Sequence, residues 1–135
     1  MTTPPVVVVE TQLGIATVDI EGGELLELEP GLPLARPTVE GIDLPLLVAA
    51  DAHGSTVVAV VDRRPPLVVS NDGGLTWREA GGGLGRGVAV AISPDHPDLI
   101  VFATAERLHV SRDGGRFWTA LQVELPSITA VAFPG

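Results

Sequence analysis

The chain has 135 residues, 45% of them hydrophobic and 19% charged, which is the composition of one folded domain rather than of a disordered segment. Eight basic residues against 17 acidic ones give a formal net charge of −9, which argues against gripping nucleic acid or an anionic membrane as a main role. There is no cysteine, so disulfides and thiolate metal sites are excluded, and there is no tyrosine.

In chain order the sequence reads as all-β. Sixteen glycines and 12 prolines punctuate short valine-rich runs, a strand-and-turn pattern, and no stretch keeps a helical period. The first strands are expected over Val6–Glu10 and Gly14–Val18. The run Val6–Val9 is far too short to span a bilayer, and no signal-peptide pattern precedes it, so the expected location is the cytoplasm, without membrane contact. Glu10, Asp19, Glu21, Glu24, Glu27 and Glu29 make the first third acidic, as solvated faces and protected edges require; a docking surface for a basic partner is the functional alternative. The loop Pro30–Asp43 has room for one short helix. Further strands are expected over Leu46–Asp51, Val57–Val61, Leu67–Ser70, Val88–Ser93, Leu99–Ala103, Leu108–Ser111 and Ile128–Pro134. Val57–Val61 and Leu99–Ala103 are apolar throughout, as strands buried on both faces should be.

A repeat organises these strands. Ser70-Asn-Asp-Gly-Gly-Leu-Thr-Trp77 and Ser111-Arg-Asp-Gly-Gly-Arg-Phe-Trp118 are one motif, 41 residues apart, and the strands upstream of each match as well. Asp19-Ile-Glu-Gly-Gly-Glu-Leu-Leu26 is a decayed third copy. The N-terminal unit lacks an inner strand and the C-terminus carries a spare one. The units are therefore 6–28 with 128–134, then 45–80, then 88–123, together one domain over 1–135.

The pattern Ser-x-Asp-Gly-Gly-x-x-Trp resembles the Asp-box, or BNR repeat, of β-propellers, and the copies cover nearly the whole chain. The resemblance implies four-stranded antiparallel blades, three per chain. It implies a structural role for Ser70, Asp72, Gly74 and Trp77, and for Ser111, Asp113, Gly115 and Trp118. In this reading the aspartates accept turn amides, the glycines supply positive φ, and the tryptophans close seams between blades. Three blades do not close a ring, and an open arc would expose two apolar faces. The expectation is a homodimer that forms a six-bladed ring, with Ile128–Phe133 exchanged between chains.

The loops that enter the inner strands and the turns between the second and third strands of each unit share one face, usually the ligand face. It carries Arg36, Glu40 and Asp43, then Arg63, Arg64, Arg86, Glu106 and Arg107. Arginine binds carboxylate or phosphate bidentately, so the expected role is noncatalytic binding or scaffolding, with an anionic small molecule or a protein partner. The plainer reading pairs these arginines with Glu40, Asp43, Asp62 and Glu106. The alternative from another class is a glycoside hydrolase or lyase working with Glu40, Asp43 and Glu106. A sialidase of the usual kind would need a tyrosine nucleophile, and the chain has none.

Other constellations read as structural. Asp51, His53 and Ser55 are close in sequence, but a triad is defined by three-dimensional roles. His53 and His96 occupy similar turns, with a weak metal site as the functional alternative, and His109 reads as a packed strand residue. The stretch Ala80–Gly87 lacks the helix and the Gly-Lys-Ser/Thr of a phosphate loop, so it reads as a flexible loop at the rim. No cofactor or metal is expected.

Overall fold

The structure is a computed structural model that describes residues 5–31, 34, 39, 42 and 44–134. The described residues form twelve strands: β1 (Val6–Thr11), β2 (Gly14–Asp19), β3 (Glu24–Glu29), β4 (Leu47–His53), β5 (Thr56–Val61), β6 (Leu67–Ser70), β7 (Arg78–Ala80), β8 (Ala89–Ile92), β9 (Ile100–Ala103), β10 (Arg107–Ser111), β11 (Thr119–Glu124) and β12 (Ala130–Ala132). They build three four-stranded sheets, ordered β4-β5-β6-β7, β8-β9-β10-β11 and β12-β1-β2-β3, with every pairing antiparallel. The described part of Pro30–Asp43 contains no helix, and the rest of that loop lies outside the described residues. No described helix is long and apolar enough to cross a membrane.

Inner strand β8 contacts both β4 and β12, so the β8–β11 sheet lies between the other two. One of its faces packs Val90, Ile92, Ile100 and Phe102 against Val58, Val60, Leu67 and Val69. The other packs Val101, Leu108, Val110 and Leu121 against Val7, Val9, Val18 and Ile20. This is why β9 is buried at every position while the burial of β1 alternates: β9 is covered on both faces and β1 on one. Val60, Ile100 and Phe102 are fully buried. Burying a side chain of this size stabilises a fold by about 1.5–3 kcal/mol.

Strand β12 pairs with β1 of the same chain, through Val8↔Ala132, Val9↔Val131 and Glu10↔Ala130. The outer face of β4–β7 is not bare. Ala50, Ala59, Val61 and Val68 are buried there, with Val39, Leu44 and Trp77 packed on them. The free face of β1 and β2, carrying Val6, Val8 and Ile15, is half-buried.

Candidate functional site

The two complete motifs fold into near-identical turns. In the first, Ser70 Oγ donates to Asp72 Oδ1 at 2.7 Å and accepts the Gly74 amide at 2.8 Å. Asp72 in turn accepts the Thr76 amide at 2.9 Å and the Thr76 hydroxyl at 2.5 Å. In the second, Ser111 Oγ donates to Asp113 Oδ1 at 2.8 Å and accepts the Gly115 amide at 2.8 Å. Asp113 accepts the amides of Arg116 at 3.1 Å and Phe117 at 2.9 Å. Gly74 and Gly115 sit at φ 97° and 94°, a conformation that a β-carbon opposes. Each turn is tied to the first hairpin of its own sheet, because the Gly73 amide donates to Ser55 O and the Gly114 amide to Asp98 O.

These bonds favour ionised carboxylates. The Thr76 hydroxyl, then the Thr76 amide and Ser70, hold Asp72 down at about 2. The Phe117 amide, then Ser111, hold Asp113 below its ordinary value. Asp72 uses both carboxylate oxygens inside its turn, whereas Asp113 accepts through Oδ1. In the decayed copy Asp19 stands at the serine position, and its Oδ1 accepts the Glu21 amide at 3.1 Å, the part that Ser70 Oγ plays for Asp72.

The tryptophans differ in surroundings. Trp118 packs into the seam between β8–β11 and β4–β7, its ring edge-on to Phe102 at 6.1 Å, and its Nε1 donates to Gly115 O at 3.0 Å. Arg78 reaches across the same seam and donates to Gly114 O. Trp77 lies on the outer face of β4–β7, where no further described sheet follows.

At the opposite end of the sheets the arginine-bearing loops meet. The Asp62 amide donates to Leu46 O, and the Leu125 and Ile128 amides donate to Glu106 O and Ala105 O, so the β5–β6 and β9–β10 turns join the connections into β4 and β12. Of the expected site residues, Arg36, Glu40 and Asp43 lie outside the described residues. Arg86 Nε pairs with Asp62 Oδ1 at 3.2 Å, both exposed. Arg107 pairs with Glu124 and also donates to Leu121 O at 3.4 Å. Glu106 is exposed. Arg63 and Arg64 are adjacent and exposed on the β5–β6 turn, and neither has an ion-pair partner among the described residues.

The remaining candidates are separated by the fold. Asp51 Oδ2 accepts the Ile92 amide at 2.8 Å and its Oδ1 the Ala52 amide at 2.9 Å, so the carboxylate serves backbone donors and not His53. Burial pushes the Asp51 carboxyl up against the opposing pull of those amides. His109 is half-buried against Phe102 at 5.8 Å, and burial, then Arg107, lowers its pKa. Among the described residues no three His, Asp or Glu side chains gather as a metal site. The glycine-rich connection is anchored by Leu84, packed on the Phe102 cluster, and by Gly87, where an added β-carbon would lie 2.2 Å from Phe102.

Sequence reasoning missed the Asp51–Ile92 bond. No known protein family matches the chain, and no curated protein matches it significantly.

Proposed function

We propose that the chain is half of an Asp-box β-propeller, and that its role is noncatalytic: binding an anionic small molecule or an acidic protein segment at the face formed by the β5–β6 turn. The observation that carries this reading is the adjacency of Arg63 and Arg64, exposed and free of ion-pair partners among the described residues. Arg86 and Arg107 are already matched by Asp62 and Glu124. Two neighbouring guanidinium groups suit a bidentate carboxylate or phosphate. The cytoplasm is the compartment taken with this reading.

The second half of the ring would be another copy. Leu47 and Val48 at the start of β4 are 42% and 48% exposed, whereas Ala89 and Val90 at the start of β8 are 6% and 2% exposed. The difference follows from position, since β8 has a sheet on each side and β4 on one. A second copy would supply the missing neighbour and bring two Arg63–Arg64 pairs to one mouth.

The direct test is a thermal shift with inorganic phosphate and with citrate. The unsubstituted protein should melt higher with either anion, and Arg63→Ala with Arg64→Ala should remove the shift. Arg112→Ala, on the opposite end of the sheets, should keep it. An equal shift in the double variant overturns the assignment.

A further inference from the structure

We propose that the outer edge of β3 is a docking strand for an extended segment of a partner protein in which basic and apolar residues alternate. The order β12-β1-β2-β3 leaves this strand with one edge unpaired among the described residues. All six of its residues are exposed. Three of them are leucines, Leu25, Leu26 and Leu28, at 41%, 52% and 42% exposure. The other outer strands are built differently: β7 has three residues and no leucine, and β11 buries its Leu121 at 7% exposure. Grouped leucines left in water add little to the fold, and an exposed apolar patch beside free backbone donors and acceptors is the arrangement that strand addition uses.

Charge selects the occupant. Glu24, Glu27 and Glu29 flank the leucines along the strand, with a bulge at Leu26, and none has an ion pair among the described residues. A second copy added antiparallel about the strand centre would set Glu24 against Glu29 at both ends. An in-register parallel copy would stack each glutamate on itself. Like charges directly opposite destabilise a strand pair, so the edge resists self-pairing. A strand carrying arginine or lysine opposite these glutamates converts each repulsion into attraction while its apolar residues cover the leucines. Main-chain bonds would supply affinity and the glutamates would supply selection. This edge and the Arg63–Arg64 turn select ligands of opposite charge.

The test uses the full chain and a short synthetic peptide of alternating arginine and valine with blocked ends, with a glutamate–valine peptide as its counterpart. The basic peptide should bind with a Kd below about 1 mM, weaken as salt rises, and shift amide resonances within Glu24–Glu29. Leu26→Asp with Leu28→Asp should weaken it at least about tenfold with no loss of melting temperature, because both side chains face water. Glu27→Lys with Glu29→Lys should reverse the preference to the acidic peptide, which keeps the test valid if the leucine variant folds poorly. Absence of binding, resonance shifts confined to other strands, or an unchanged preference in the charge-reversed variant would overturn the proposal.

Discussion

Asp51 on β4 accepts the Ile92 amide of β8 at 2.8 Å, and so links the inner strands of two neighbouring sheets through one half-buried carboxylate. Ser93, one residue beyond β8, accepts the His96 amide within its own turn at 3.2 Å. Asp51→Ala should therefore cost about 1–3 kcal/mol, since it orphans the Ile92 donor. Asp51→Asn should cost less because it keeps an acceptor. Urea unfolding of both variants measures the difference.

The same carboxylate gives stability a pH dependence of definite sign. Burial raises its pKa in the folded chain, so the folded state holds the proton more tightly than the unfolded one. This contribution is greatest below the unfolded value and falls as pH rises through the window up to the folded value. Asp51→Asn should flatten that part of the profile.

Asp72 has the opposite sign. Its folded value of about 2 lies below the ordinary carboxylate value of 3.8, so its contribution is complete above the unfolded value and is lost as pH falls toward the folded one. Asp113 acts in the same direction. Asp72→Asn should lower stability near neutral pH and flatten the acid limb. A midpoint of urea unfolding measured between pH 2 and pH 5 (a window of roughly three units around these values) checks both.

The two tryptophans should respond unequally. Trp118→Ala empties a seam between two sheets and should cost about 3–5 kcal/mol. Trp77→Ala removes a ring from an outer face and should cost less. Equal losses would contradict the placement of Trp118 against Phe102.

Gly87 tests the tightness of the same seam. A β-carbon there would lie 2.2 Å from Phe102 Cε2 and 2.8 Å from Val60 Cγ1. Gly87→Ala should lower stability by about 1–3 kcal/mol through overpacking. Gly82→Ala meets nothing within 4 Å and, in the same connection, serves as the control.

Much of the architecture is legible because its signals are local. Valine runs, glycine pairs and the 41-residue motif are properties of neighbouring residues, and they lead to an all-β chain with three four-stranded sheets. The partner of β12 is not legible, because the spare C-terminal strand fits β1 of its own chain or of another equally well by pattern. In the structure it pairs with β1 of the same chain. The arginine face is legible in part. Loop position places Arg63, Arg64, Arg86 and Arg107 at one end of the sheets, but only side-chain geometry shows that Arg86 meets Asp62 and Arg107 meets Glu124. Asp51 stands beside His53 and Ser55 in the sequence, yet its partner comes from another sheet.

The central claim is that two copies complete the ring and bring the Arg63–Arg64 turns to one mouth. Light scattering on a size-exclusion column tests it most directly. A mass of about twice the 14.0 kDa chain is the predicted result. A mass of 14.0 kDa that persists as concentration rises would contradict it.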